Sequence, residues 1–217
     1  METFKIRCSQ IGHIMSEKGL GKTGETYLKQ WAKSKIFNRI HEIKNRFLEK
    51  GNVVEYESIM VLSDFLNIEI DKNYDFFSDD YFVGTPDIIT EDLIIDVKNC
   101  WDWSTFPYYE KECDNKNYEY QLQGYMHLTG RKKAQLIYIL SDTPEFLIEK
   151  EAFYFCRNQG YEELDMDLFD KFKDKMTYSD INIKDKIKIF NINYNADVIE
   201  KIKLRVEECR NYLKTLK

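Results

Sequence analysis

The chain has 217 residues, 43% hydrophobic and 32% charged, which fits one globular domain whose core needs neither disulfides nor a structural metal. Its formal net charge of −6 excludes a uniformly basic nucleic-acid binder, yet residues 1–50 hold eleven Lys/Arg against five Asp/Glu, so that part is +6 and the rest −12. A basic lobe beside an acidic body suits either a local phosphate track or a lysine-rich helix face turned to water.

No apolar run approaches the ~20 residues that span a bilayer. The start, Met1-Glu2-Thr3-Phe4-Lys5, lacks the pattern of a secretory signal, so a cytoplasmic protein without membrane association is expected. Cys8, Cys100, Cys113, Cys156 and Cys209 are odd in number and scattered, with no zinc-type spacing; reduced, mostly buried thiols are expected.

Residues 3–16 mix apolar anchors with Arg7, Ser9 and Gly12. After Gly19, Gly21 and Gly24, the spacing of Leu28, Trp31, Ala32, Ile36, Ile40, Ile43 and Phe47 predicts one long amphipathic helix. The glycine cluster lacks the order of a phosphate-binding P-loop and follows no strand. A second helix is expected to open at Lys50-Gly51. On it Glu55, Ile59, Leu62 and Leu66 share one face, which aims a carboxylate at the sheet. Such a carboxylate needs a cationic partner, a metal among them; the alternative is a first-turn glutamate favoured by the helix dipole.

Strands are expected at 74–78 and 80–89, and the latter leads into a hairpin. Gly84-Thr85-Pro86-Asp87-Ile88-Ile89 and Leu93-Ile94-Ile95-Asp96-Val97-Lys98 flank a polar turn at Thr90, Glu91 and Asp92. Alternation puts Asp96 and Lys98 on one face and Ile95 and Val97 on the other. A turn centred near Glu91 sets Asp87 across from the Ile95–Asp96 pair. Two carboxylates can hold a divalent ion through oxygen, and a lysine beside them can orient water or neutralise a phosphate. Trp101, Trp103, Phe106, Tyr108 and Tyr109 follow, suited to stacking on bases or to packing.

A helix is predicted over 118–130, with Gln121 and Tyr125 one turn apart and Gly130 as its C-cap. A buried strand is expected at 134–140, further strands at 151–156 and 187–192, and helices around 164–176 and 198–213.

In order these elements are Gly51-x-x-x-Glu55, Pro86-Asp87, Asp96-x-Lys98 and Gln121-x-x-x-Tyr125 with Thr129-Gly130. That order resembles the PD-(D/E)xK nuclease superfamily, and within it the lambda-exonuclease-like branch of phage-type recombination exonucleases, related to RecB-type nuclease domains. The likeness covers about residues 5–140. The branch usually has Glu where this chain has Asp96, a shorter arm.

The resemblance implies an α/β, restriction-endonuclease-like core, a mixed central sheet flanked by helices. It implies one nuclease domain over 1–217, with a basic helical part at 1–50, a catalytic core at 51–140 and C-terminal strands and helices at 141–217. Glu55, Asp87, Asp96 and the Val97 carbonyl would hold one or two Mg²⁺ or Mn²⁺ ions. Lys98 would orient the attacking water, Gln121 would assist and Tyr125 would support it, with Gln123 a lesser substitute for Gln121. Arg7 and Ser9 match a 5′-phosphate contact, and Trp101 and Trp103 are candidate DNA contacts. The iron–sulfur cluster of some superfamily members is not expected, because only Cys156 and the distant Cys209 lie towards the C-terminus.

The activity implied is metal-dependent hydrolysis of DNA at duplex ends, 5′ to 3′, in recombination or repair. A ring-shaped homo-oligomer and a single-strand annealing protein are the implied partners, in the host cytoplasm if the chain is phage-encoded. The alternatives are a structure- or sequence-specific endonuclease on the same core and a non-catalytic DNA-binding protein.

Overall fold

The computed structural model describes residues 3–39 and 45–216. Ile40 and Ile43 of the expected first helix lie outside these. A two-residue strand β1 (Ile6–Arg7) leads into a 3-10 helix (Cys8–Ile14), followed by α1 (Gly21–Phe37) and α2 (Arg46–Leu66). The single long helix expected here is therefore corrected. Asn38 takes a left-handed conformation, φ 47°, and ends α1, while Phe47 belongs to α2. Asn45 caps α2, accepting a hydrogen bond from the Leu48 N–H, so α2 opens four residues before Lys50.

Short strands β2 (Phe77–Ser78), β3 (Phe82–Gly84) and β4 (Ile88–Ile89) precede the central strand β5 (Leu93–Asn99). The run expected as one strand over 80–89 is broken at Thr85-Pro86-Asp87, where Pro86 has no N–H for a ladder. Then come α3 (Lys116–Thr129), β6 (Lys133–Ile139), α4 (Glu145–Asn158), α5 (Met166–Met176), the single turn α6 (Ile183–Lys186), β7 (Ile187–Asn193) and α7 (Ala196–Thr215). Gly130 closes α3 at φ 76°, the left-handed cap its position predicts. The strand expected at 151–156 is instead part of α4. Ile148, Ala152 and Cys156, at four-residue spacing, are its buried stripe, and Ile148 and Ala152 pack with Phe169 and Met176 of α5.

The architecture is α/β, with mixed sheets flanked by helices. One sheet has the order β1-β3-β2; the other runs β4-β5-β6-β7, with β5 and β6 parallel and both outer pairs antiparallel. β7 takes the edge, as expected for 187–192. Successive side chains along β5 enter two different cores, and Ile94 to Val97 are all buried. Ile94 faces a core with α3, α7 and the 3-10 helix, while Ile95 and Val97 face Ile59 and Leu62 of α2. The central strand is thus covered on both sides, so any polar side chain on it needs a specific partner. Among the described residues no helix is long and apolar enough to cross a membrane.

Candidate functional site

The hairpin register pairs Ile88 with Ile95 and Ile89 with Ile94, which sets Asp87 opposite Asp96. Asp96 is completely buried on the α3 face of β5. Its Oδ1 accepts a hydrogen bond from Gln121 Nε2 at 2.8 Å, and the same amide reaches Tyr125 Oη at 3.2 Å. Lys98 Nζ lies 2.5 Å from Asp96 Oδ2, but off the direction of a hydrogen bond, so this buried oxygen has no aligned donor. The Lys98 ammonium also sits over the Tyr118 ring, 4.9 Å from its centre. Asp87 Oδ2 accepts from the Val97 N–H at 2.9 Å, which fixes its carboxylate against β5.

Desolvation raises the Asp87 carboxyl well above the ordinary carboxylate range, and the Asp96 charge raises it further, against the opposing pull of Lys98. Burial acts to lower the Lys98 ammonium, but Asp96 and Asp87 outweigh it and hold it above its ordinary value. Burial, then Asp96, pushes the Tyr125 hydroxyl up, so it stays protonated. Two acids crowded on one lysine form a site whose full ionisation calls for further positive charge.

Glu55 reaches the neighbourhood from α2, near enough for its charge to act on Asp87, but its carboxylate is paired with Lys72. Among the described residues no three acidic, histidine or cysteine side chains lie close enough together to form a ready metal site. The donor chemistry nonetheless fits a hard divalent cation: all the side-chain donors are carboxylate oxygens, and Asp96 Oδ2 is a buried oxygen without an aligned donor.

Arg7 and Ser9 line a cavity of about 300 Å³ together with Cys8, Gly84, Thr85 and Tyr125. Tyr125 is thus shared between this cavity and the Gln121–Asp96 contact. Trp101 lies elsewhere, edge-on to Phe47 at 5.5 Å and packed on the α4–α5 cluster. Trp103 is exposed on a short 3-10 turn whose backbone N–H donates to Tyr178 Oη. Gln123, the substitute considered for Gln121, faces away and bridges Asn193 O and the Asn195 N–H. Sequence reasoning passed over Tyr118 and Lys72. Tyr118 had a signal, being one turn before Gln121 on the same helix. Lys72 had none, as a lone lysine in an irregular polar stretch.

A mixed sheet that carries an acid pair and a lysine on its central hairpin, roofed by a helix bearing Gln121, defines the class: this is the restriction-endonuclease-like nuclease fold. Within that class the chain is similar to a phage-related exonuclease from Haemophilus somnus 129PT, with a TM-score of 0.81 and 25% identity over 99% of this chain and 96% of that one. It is also similar in fold to an alkaline exonuclease from Laribacter hongkongensis, with a TM-score of 0.66 and 13% identity over 97% and 88% of the two chains. A complex of the Laribacter protein with dAMP gives a TM-score of 0.68. The chain therefore resembles the lambda-exonuclease-like branch of the PD-(D/E)xK superfamily in overall structure as well as in motif order. No family model matches the sequence. No curated protein matches it either.

Proposed function

We propose that this protein is a divalent-metal-dependent DNA exonuclease that acts at duplex ends. The observation that carries the reading is the placement of Asp87 across the hairpin from Asp96, with the Lys98 ammonium 2.5 Å from the buried Oδ2 of Asp96. The structural likeness to the Haemophilus phage-related exonuclease, which spans nearly all of both chains, supports it. Asp87, Asp96, Glu55 and the Val97 carbonyl would hold Mg²⁺ or Mn²⁺, one ion or two. When bound, such an ion supplies Lewis-acid polarisation of the phosphate and a more acidic water.

The chain's own groups do the rest. Gln121 holds Asp96 in one orientation through Oδ1, so Oδ2 is turned to the reacting side. Lys98, kept charged by the two acids, orients water and offsets the charge that builds on the phosphate in the transition state. Tyr125, protonated, keeps the Gln121 amide aligned. Arg7 and Ser9, in the cavity that shares Tyr125, would receive a terminal phosphate, which favours 5′-to-3′ digestion. In this reading residues 1–217 form one nuclease domain that serves recombination or repair. It would work as a homo-oligomeric ring with a single-strand annealing protein, as the branch it resembles implies.

End-labelled duplexes with and without a 5′-phosphate, incubated in Mg²⁺ and in EDTA, test catalysis, polarity and end recognition together. The expected result is loss of the 5′ label in Mg²⁺ only, faster with the phosphate present. Cleavage unaffected by EDTA would overturn the metal reading. Nicking or linearisation of a covalently closed circle would replace the exonuclease with an endonuclease.

A further inference from the structure

Glu55 is the acid of the proposed set whose cationic partner comes from outside the hairpin, from the irregular segment after α2. Its carboxylate accepts a hydrogen bond from the Lys72 ammonium, and both side chains are about one quarter exposed. The Lys72 ammonium also stands within electrostatic reach of Asp87. The backbone around it is anchored at several points. Ile70 is buried in the core under α2. The Asn73 N–H donates to the Asp87 carbonyl at 2.7 Å, and Asn73 Nδ2 donates to the Pro86 carbonyl at 2.9 Å. Lys72 is therefore held one residue from a double tie to the Pro86-Asp87 turn, and its ammonium lies 5.8 Å from the centre of the Tyr74 ring.

We propose that Lys72 is a built-in competitor for the divalent cation: it occupies the cationic position on Glu55, and Glu55 becomes a ligand only when the ammonium is displaced. The inference rests on the metal reading above. Its physical basis is charge. Glu55, Asp87 and Asp96 against Lys72 and Lys98 leave a formal charge of about −1, which a divalent ion converts to about +1, the sign that suits a phosphodiester. A displaced ammonium tethered at Asn73 stays close to the ion and repels it, so the affinity is held below what three carboxylates alone would give. Lys98 differs, since it sits on Asp96 from the same strand and competes with nothing on Glu55.

The test is equilibrium binding of Mn²⁺, with the free ion followed by electron paramagnetic resonance in the absence of DNA. Lys72→Met is expected to bind Mn²⁺ about tenfold more tightly than the wild type. Lys72→Gln, which keeps a hydrogen-bond donor without the charge, should also bind more tightly, and it carries the test if the methionine variant does not fold. In a Glu55→Gln background the gain from Lys72→Met should shrink to the relief of charge repulsion alone, and a gain as large as in the wild type would overturn the competitor role. Wild-type binding that Asp96→Asn abolishes but Lys72→Met and Lys72→Gln leave unchanged or weaken would sink the competitor role and spare the metal site. Failure of the wild type to bind Mn²⁺ any better than Asp96→Asn would sink both.

Discussion

Asp96 has one oxygen bonded to Gln121 and the other touched off-axis by Lys98. Removing either charged group should therefore damage chemistry before it damages the fold. Asp96→Ala and Lys98→Ala are each expected to lower Mg²⁺-dependent cleavage by at least about 100-fold with an unchanged far-ultraviolet circular dichroism spectrum. Undiminished cleavage in either variant, contaminating nucleases excluded, would remove these residues from the site. Lys50 makes a different kind of claim. It is 1% exposed, its ammonium donates to the Trp101 and Ser141 carbonyls at 2.9 and 2.8 Å, and burial pulls its pKa down from 10.5 to about 8. Between those values the unfolded chain binds more protons than the folded one, so the Lys50 contribution to stability rises with pH across that window. Below about 8 the buried charge costs on the order of 1–3 kcal/mol. In urea unfolding at pH 7.5 and 10, the stability of the wild type relative to Lys50→Met is expected to rise with pH; the same pH dependence in the two would refute it.

The elements meet at the site because two glycines let them. A Cβ built on Gly84 of β3 would lie 2.7 Å from Tyr125 Cε1, and one on Gly124 of α3 would lie 2.7 Å from Cys8 Sγ. Gly84→Ala is therefore expected to cost about 1–3 kcal/mol in chemical denaturation and to push Tyr125 away from Gln121. An alanine variant as stable as the wild type would show that α3 has room to shift. Much of this arrangement was legible in the residues. The Asp87–Asp96 register followed from the polar turn, and the Gln121–Tyr125 pair followed from helical spacing. The shared face of Glu55, Ile59, Leu62 and Leu66 gave the side of α2 that meets the sheet. What failed had physical causes. The aromatic run Phe153-Tyr154-Phe155 favours strands by propensity, but the packing of Ile148 and Ala152 on α5 decided for helix. Asn38 ends α1 inside an apolar pattern that runs on through Ile40 and Ile43. The Lys72–Glu55 pair joins a regular helix to an irregular strap, and no periodicity reports such a pairing.

At the scale of the whole molecule, charge is unevenly spread, and α1 presents Lys22 and Lys33 to solvent. If this face tracks DNA, Lys22→Gln with Lys33→Gln, placed in an Asp96→Asn background so that no DNA is cut, should reduce the salt dependence of DNA binding. The slope of log K against log salt is expected to fall by about one for each phosphate that a lysine no longer neutralises. An unchanged slope would leave α1 as a solvated face. The N-terminal segment carries a consequence for how the chain is made. Arg210 of α7 donates to the Phe4 carbonyl, and Arg205 to the Ser16 carbonyl, across sequence separations of 206 and 189 residues. Strand β1 and the 3-10 helix that bear Arg7 and Ser9 are thus sealed by the last helix, through pairings of very high sequence separation that close late. During synthesis the residues that would greet a DNA end wait, undocked, until α7 has left the ribosome. A nascent chain arrested before residue 196 is expected to expose residues 4–14 to protease, and the released chain to protect them.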